Sequence, residues 1–219
     1  MRSLLTMLLA CACTMMQATA PVDEVIVEGI DVSHYQGDVD WKTVKNDDIT
    51  FAFVKATQGL RFVDPRFKLN WAATKKAGIV RGAYHFLEPD QDGAAQARHF
   101  LKTVNFSKGD LLPVVDVERP GRKLTGTLKD FLAEVKSELG IDAIIYVSPA
   151  FWNEHLADAF EAPVPNPLWV AEYGVSKPKQ VRNIGPWLIW QYTRSGRVDG
   201  ISGPVDRNRA RMAPEHRMR

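Results

Sequence analysis

The chain has 219 residues, of which 45% are hydrophobic and 25% are charged, and its formal net charge is only +2 at pH 7. This composition is typical of a globular protein with one sizeable core, so we expect a single main domain. Because the chain has no strong basic excess, its composition argues against a nucleic-acid partner.

The first twenty residues have the layout of a secretory signal peptide. One early arginine precedes an apolar run over residues 4–16, and the segment closes with Ala-Thr-Ala. The run is too short to span a bilayer, so residues 1–20 are predicted to be a cleaved leader. The mature protein is then exported to the periplasm, the cell envelope or the exterior. As an alternative, residues 8–11 resemble a lipoprotein box in which Cys11 carries a lipid anchor.

The two cysteines of the chain, Cys11 and Cys13, both lie inside this predicted leader. Once the leader is removed, the protein has no disulfide, no thiol nucleophile and no cysteine ligand for zinc. We therefore expect the folded domain to depend on its hydrophobic core, and we expect neither a cofactor nor a metal site.

After the leader, apolar runs rich in β-branched and aromatic residues alternate with runs of helical period. The apolar runs predict strands at residues 25–35, 49–57, 79–87, 111–118, 142–148, 167–173 and 187–193, with a short eighth strand at 203–208. Apolar residues at helical spacing predict helices at residues 64–78, 93–104 and 127–140. Two late gaps, 174–186 and 194–203, leave little room for helices.

This order of elements predicts an α/β fold built as a barrel. Strand–helix alternation with buried strands favours a largely parallel sheet, and eight strands favour its closure. We expect an irregular, TIM-like β/α barrel over residues 21–210, with helices reduced or missing in the second half. Residues 211–219 are rich in arginine, and we expect them to form a basic, solvated tail or, alternatively, to attract an anionic polymer.

Two carboxylates stand two positions apart at the end of the fourth predicted strand. Alternate residues of a strand share a face, so Asp116 and Glu118 point the same way. A second acid nearby raises the pKa of the first, which keeps one carboxyl group protonated near neutral pH. Glycoside cleavage needs such an acid beside an anion that manages the oxocarbenium-like state. The alternative is a structural salt-bridge cluster with Lys55 or Arg119.

In a parallel barrel, the carboxyl ends of the strands form the active face. Asp31 and Asp206 are therefore expected to join Asp116 and Glu118 in one pocket, as catalytic candidates. Carboxylates among flat aromatic rings suit a sugar, since rings cover the apolar faces of pyranoses. The predicted substrate contacts are Lys55, Tyr84, Tyr146, Trp169, Glu172, Tyr173, Trp190, Gln191 and Tyr192.

Six motifs of the chain follow one another in a recognisable order. They read GIDVSHYQGDVDW (29–41), FVKATQG (53–59), GAYHF (82–86), PVVDVE (113–118), LWVAEY (168–173) and IWQYT with VDGISGPVDRN (189–208). Over essentially residues 29–208 the chain resembles glycoside hydrolase family 25, the Chalaropsis-type lysozymes or N-acetylmuramidases. The resemblance implies an irregular β/α barrel that cleaves the bond from N-acetylmuramic acid to N-acetylglucosamine in peptidoglycan.

The resemblance also implies a role for each matched acid. Glu118 is implied to be the general acid, and Asp116 to orient or stabilise the acetamido group of the substrate. Asp31 and Asp206 are implied to shape the charge of the pocket and to hold water or the sugar. Gln58 departs from the family pattern, in which KATEG with a glutamate is usual, so a charge or a hydrogen bond is missing there.

Two other functions fit the same residues. A non-catalytic protein that binds peptidoglycan or chitin could be built on a decayed hydrolase barrel, although retention of all four acids argues against it. A metal-dependent hydrolase could arrange the same acids around a divalent ion. The chain offers no His-x-His pair at a strand end for such an ion. We expect a monomer whose partner is the glycan strand of peptidoglycan.

Overall fold

A computed structural model of the protein describes residues 26–211 and 216–218. The predicted leader, its cleavage site and Cys11 lie outside the described residues. The strands are β1 (Ile26–Val32), β2 (Phe51–Gln58), β3 (Phe62–Val63), β4 (Val80–Phe86), β5 (Val114–Asp116), β6 (Ile144–Val147), β7 (Leu168–Ala171), β8 (Trp187–Gly196) and β9 (Val205–Arg211).

Eight of these strands close into a barrel. The sheet order is β1-β9-β8-β7-β6-β5-β4-β2-β3, and β1 also pairs with β2, which completes the ring. The predicted irregular β/α barrel is thus confirmed. β3 stands outside the ring, as the return strand of a hairpin that begins in β2.

The last strand runs against the others. β9 pairs antiparallel with both β8 and β1, whereas the other neighbours in the ring are parallel. Residues 197–204, which join β8 to β9, are too few for the crossover that a parallel strand needs, so the chain turns directly back. As a consequence, the start of β9 lies at the same end of the barrel as the carboxyl ends of the parallel strands.

Helices cover the first part of the barrel. They are α1 (Trp41–Asn46), α2 (Phe67–Lys76), α3 (Gly93–Thr103), α4 (Leu124–Leu139) and α5 (Pro149–His155). α2, α3 and α4 correspond to the three predicted helices, while the short α1 and α5 were not predicted. In the described chain no helix lies between β7 and β8 or between β8 and β9, which confirms the expected loss of helices. No helix in this part of the chain is long and apolar enough to cross a membrane.

The core has two layers because strand residues alternate between the inside and the outside of the barrel. Inside, Phe53, Val114 and Trp169 fill the closed ring. Gly82 in the GAYHF motif makes room for this packing, since a Cβ there would lie 2.2 Å from the ring of Phe53. Outside, the helices pack on the sheet through a larger cluster that includes Ile30, Val54, Phe100, Leu128 and Phe131.

The described part of the C-terminal tail packs against the domain. The backbone N–H of Met218 donates to the carbonyl of Asp110 over 2.7 Å, and Arg217 forms a β-bridge with Leu111. Arg211 is the last residue of β9, so the barrel extends one residue past the predicted boundary at 210. The backbone groups of residues 216–218 thus pair with the segment before β5, while Arg217 itself is exposed.

Candidate active site

Four carboxylates converge at the end of the barrel where the parallel strands terminate. Asp31 lies near the end of β1, Asp116 is the last residue of β5, and Glu118 follows two positions later. Asp206 reaches the same end from the start of β9, because that strand is antiparallel. All four line one cavity of about 270 Å³.

The wall of this acid cavity includes four aromatic residues beside the four acids. Of the predicted substrate contacts, five line it: Tyr84, Tyr146, Trp169, Tyr173 and Gln191. Arg194 also lines the cavity and was not predicted. The pairing of β8 with β9 shifts register on both sides of Thr193, so strict alternation along the strand could not reveal which way Arg194 points.

Asp31 is held by two amide side chains. Gln191 Nε2 and Asn208 Nδ2 each donate to Asp31 Oδ2 over 2.8 Å, and Asn208 in turn accepts from the indole N–H of Trp169 over 2.9 Å. Burial raises the pKa of Asp31 to about 6, although both amide hydrogen bonds act in the opposite direction. Asn208 was not among the predicted site residues, and nothing in the strand pattern distinguishes it from an ordinary buried polar group.

Asp206 faces Asp31 across the pairing of β1 with β9. Burial raises the pKa of Asp206 to about 8, and repulsion by the charge of Asp31 adds to the effect. At neutral pH, Asp206 is therefore largely protonated while Asp31 is largely charged. The cavity thus holds fewer negative charges than its four carboxyl groups imply.

Asp116 and Glu118 form the second acidic pair. Asp116 is only 7% exposed, and its Oδ1 has no hydrogen-bond partner in the structure. Burial raises the pKa of Asp116 well above its ordinary value, and the charge of Glu118 raises it further. Burial also raises the pKa of Glu118, against the opposing effect of Lys55 and Arg119. The pKa of Glu118 is thus raised chiefly by burial, and the repulsion between the two acids acts mainly on Asp116.

The alternative of a structural salt-bridge cluster is not what the structure shows. Arg119 pairs with Glu88, with 2.7 Å between Nη1 and Oε1, and Lys55 Nζ donates to Gln58 Oε1 over 2.8 Å. Among the described residues, neither Asp116 nor Glu118 has a basic group within ion-pair distance. Both basic side chains therefore act on the acids only through their electrostatic field.

Gln191 connects the aromatic wall to the acids. The hydroxyl of Tyr146 donates to Gln191 Oε1 over 2.9 Å, and the hydroxyl of Tyr173 contacts the same oxygen. The Nε2 of this amide donates to Asp31, so one side chain fixes two phenols and a carboxylate. Burial raises the pKa of Tyr146 well above its ordinary value, which keeps this phenol a neutral donor.

Three predicted substrate contacts lie away from the acid cavity. Trp190 is 5% exposed and its indole N–H donates to the carbonyl of Glu172, while the hydroxyl of Tyr192 donates to Glu28. Gln191 faces into the barrel and lines the cavity, so its neighbours on β8 face outward, away from the cavity. The carboxylate of Glu172 pairs with Lys179 over 3.3 Å.

Lys55 lines a neighbouring groove and not the acid cavity itself. Within the part of the chain that the structure describes, no group of three His, Cys, Asp or Glu side chains is arranged to hold a metal ion. For chemistry, the arrangement offers four carboxyl groups in one small cavity with aromatic residues in its wall.

Known proteins share this fold and sequence. The family model described as glycosyl hydrolases family 25 matches residues 30–201. Lysozyme M1 of Streptomyces globisporus is 38% identical over 203 residues, which cover 86% of this chain and 69% of the relative. The N,O-diacetylmuramidase of Chalaropsis sp is 28% identical over 202 residues, which cover 82% of this chain and 96% of the relative.

A solved structure agrees with these sequence matches. The crystal structure of the bacterial lysozyme from Streptomyces coelicolor superposes with a TM-score of 0.77 at 36% identity, covering 85% of this chain and 93% of that one. The family model spans most of the described barrel, from β1 to the segment before β9. The chain therefore belongs to glycosyl hydrolase family 25 and is a glycosidase.

Proposed function

We propose that the protein is a lysozyme-type muramidase that hydrolyses the β-1,4 bond between N-acetylmuramic acid and N-acetylglucosamine in peptidoglycan. The observation that carries this proposal is the convergence of four carboxyl groups in one cavity with an aromatic wall. The names of two relatives, a lysozyme and an N,O-diacetylmuramidase, support the same substrate class.

Glu118 is the general acid of the proposed reaction. Its raised pKa favours the protonated form, which a proton donor to the leaving oxygen requires. It is also the less buried member of its pair, so it stands where a glycosidic oxygen can reach it. Lys55 and Arg119 limit the rise of its pKa and stabilise the carboxylate that forms after proton transfer.

Asp116 orients the acetamido group of the sugar. Its Oδ1 is a buried acceptor with no partner in the structure, and an amide N–H from the substrate would supply one. The acetamido oxygen could then attack the anomeric carbon, as in substrate-assisted glycosidases. When Asp116 accepts this N–H, the proton shared by the pair is held by Glu118, where the reaction needs it.

Asp31 and Asp206 shape the other side of the cavity. Because they hold one proton between them near neutral pH, they can both accept and donate hydrogen bonds to water or to sugar hydroxyls. Tyr84, Tyr146 and Tyr173 supply neutral hydroxyls and ring faces for the pyranose. This division assigns proton transfer to Glu118, orientation of the acetamido group to Asp116, and positioning of water or sugar hydroxyls to Asp31 and Asp206.

Export and the absence of disulfides belong to the same proposal. We infer that the predicted leader directs the enzyme to the cell envelope or beyond, where its substrate lies, and that it works there as a monomer. Residues 21–219 contain no cysteine, so the folded enzyme should keep its activity in a thiol reductant. Loss of activity in the reductant would contradict this part of the proposal.

A wall-clearing assay tests the function against its two rivals. Purified, metal-free protein is added to purified peptidoglycan, and the turbidity and the release of reducing sugars are followed with and without EDTA. A muramidase clears the suspension and releases reducing ends in both conditions. A binding protein leaves the turbidity unchanged, and a metal-dependent hydrolase loses its activity in EDTA.

A further inference from the structure

A second groove opens beside the acid cavity, and the mechanism above uses only one residue of its lining, Lys55. It lies between the turn after β1, which carries His34 and Tyr35, and the β2–β3 hairpin, which carries Lys55, Gln58, Arg61 and Phe62. We call it the hairpin groove. Its volume of about 640 Å³ is sufficient for a short peptide or for a sugar.

The hairpin groove adjoins the catalytic acids. Lys55 is the Cα partner of Tyr84 in the β2–β4 pairing, and Tyr84 lines the acid cavity. Attraction by Asp116 and Glu118 acts on the Lys55 ammonium, although burial of that group lowers its pKa overall. A substituent on a sugar that is bound in the acid cavity can therefore extend into this groove.

The rim of the groove is apolar and exposed. Tyr35 is 82% exposed and Phe62 is 41% exposed, and Leu60 stands next to them on the hairpin. The rings form a cluster around His34, whose centroid lies 4.2 Å from that of Tyr35 and 6.0 Å from that of Phe62. Clustered exposed rings of this kind are typical of a surface that binds a ligand or a partner molecule.

The base of the groove holds a cation that forms no ion pair. Lys55 is 7% exposed, and its ammonium donates to the neutral amide of Gln58. Among the described residues, no carboxylate lies within 4.0 Å of Lys55. The nearby Glu88 is engaged by Gln58 Nε2 and by Arg119, each over 2.7 Å. Asp64, Asp116 and Glu118 attract this ammonium only from beyond ion-pair distance, so a ligand carboxylate in direct contact with it would be stabilising.

The two neighbouring sites have opposite charge. The acid cavity carries four carboxyl groups and repels an anionic substituent, whereas the hairpin groove presents Lys55, the exposed Arg61 and one carboxylate, Glu88, which is already paired with Arg119. In peptidoglycan, the lactyl group of muramic acid carries a peptide with methyl side chains and free carboxylates. An apolar rim above two cations complements that peptide, whereas a neutral sugar would leave both cations unused.

We propose that the hairpin groove binds the peptide attached to the muramic acid, with its methyl groups against Tyr35 and Phe62 and a carboxylate at Lys55 and Arg61. This inference rests on the proposed function and adds a peptide-binding subsite to it. It makes the enzyme selective for glycan strands that still carry their peptides. Gln58 leaves the Lys55 ammonium available to the carboxylate of the peptide, since a glutamate at position 58 would pair with Lys55.

Kinetics on two matched substrates test the subsite. Soluble glycan strands with their peptides are compared with the same strands after an amidase has removed the peptides. We expect kcat/KM to be about tenfold higher on the peptide-bearing strands. Arg61→Ala and Tyr35→Ala should each reduce this ratio several-fold. Arg197→Ala and Leu69→Ala, which alter exposed residues outside the groove, should leave it unchanged.

Equal kcat/KM of the wild type on both substrates would overturn the subsite while leaving the muramidase intact. A fall on both substrates by the same factor in Arg61→Ala would show that the groove binds the glycan, which also overturns it. Failure to cleave either substrate would reject the proposed function instead.

A binding measurement tests the groove independently of turnover. N-acetylmuramic acid alone and N-acetylmuramyl-alanyl-glutamate are titrated into the protein by calorimetry. We expect the peptide-bearing ligand to bind about tenfold more tightly, and Arg61→Ala to remove most of this difference. Equal affinities of the two ligands for the wild type would contradict the proposal.

Discussion

Asp31 and Asp206 are direct Cα partners on the antiparallel strands β1 and β9. This pairing places two carboxyl groups side by side in a buried cavity, where both cannot be charged without a large cost in free energy. The protein meets the constraint by raising the pKa of Asp31 to about 6 and that of Asp206 to about 8. The antiparallel strand β9 thus closes the barrel and also brings Asp206 beside Asp31, which creates a pair of acids that shares a proton.

The first prediction concerns the pH dependence of stability. In the unfolded chain Asp206 titrates near its ordinary pKa of 3.8, and in the folded protein near 8, so between these values the folded state binds more protons. The contribution of this group to stability is therefore fully present below about pH 4 and is lost as the pH rises towards 8. At about 1.4 kcal/mol per pKa unit, the loss is on the order of a few kcal/mol.

Replacing Asp206 by asparagine should remove most of this loss. The free energy of unfolding of Asp206→Asn, measured by urea denaturation, should fall much less between about pH 5 and pH 8 than that of the wild type. Asp199→Asn, which changes an exposed aspartate on the loop before β9, serves as the control and should retain the wild-type slope. Parallel slopes for Asp206→Asn and the wild type would contradict the raised pKa.

A second prediction concerns Asn208. Its buried amide accepts from the indole of Trp169 and donates to Asp31, so Asn208→Ala leaves the indole N–H without its acceptor and removes one of the two amide donors to Asp31. We expect a loss of about 2–4 kcal/mol in the free energy of unfolding. Loss of a hydrogen bond to the charged form should also raise the pKa of Asp31 further. The exposed Asn105→Ala is the control and should change stability by less than about 0.5 kcal/mol.

Much of this fold was predictable from the sequence because strand and helix periods are local. Alternation along the fourth predicted strand indicated that Asp116 and Glu118 point the same way at the strand end, and both line the acid cavity. The direction of β9 was not predictable from its own residues, since it depends on the short link that precedes it. Asp206 was correctly placed at the active end, although the reason is its position at the start of an antiparallel strand.

The differences between the expected and the observed placement of site residues have a common physical origin. Aromatic residues at a strand end can face into the barrel or out of it, and composition does not distinguish the two. Trp190 and Tyr192 face outward because Gln191 between them faces inward, and the register shifts beside Thr193 obscured Arg194. Asn208 has no signal in a single sequence, since its role depends on contacts with Trp169 and Asp31 from other strands.

The third prediction addresses the coupling of Asp116 to Glu118. Together these acids titrate as a pair, and repulsion raises the upper apparent pKa of the two. In Asp116→Asn, Glu118 titrates alone under burial and under the opposing field of Lys55 and Arg119. The basic limb of the kcat/KM profile should therefore move to lower pH, together with a large fall in rate. An unmoved basic limb with reduced thermal stability would show that Asp116 is only structural.

The fourth prediction concerns the proton donor. Glu118→Gln keeps the size of the side chain but removes the transferable proton, so turnover of peptidoglycan should fall on the order of 100-fold or more. The variant should keep its circular dichroism spectrum and its affinity for wall fragments. Glu172→Gln is the matched control, because that carboxylate pairs with Lys179 outside the cavity, and it should retain activity within a few-fold of the wild type.

The most direct test of the central claim is the identity of the sugar at the newly formed reducing end. Purified peptidoglycan is digested, the fragments are reduced with borohydride, and the terminal sugar alcohol is identified by mass spectrometry. A muramidase that protonates the leaving oxygen through Glu118 predicts muramitol-ended fragments from the wild type and almost none from Glu118→Gln. Fragments that end in reduced N-acetylglucosamine, or equal release by the two proteins, would contradict the account.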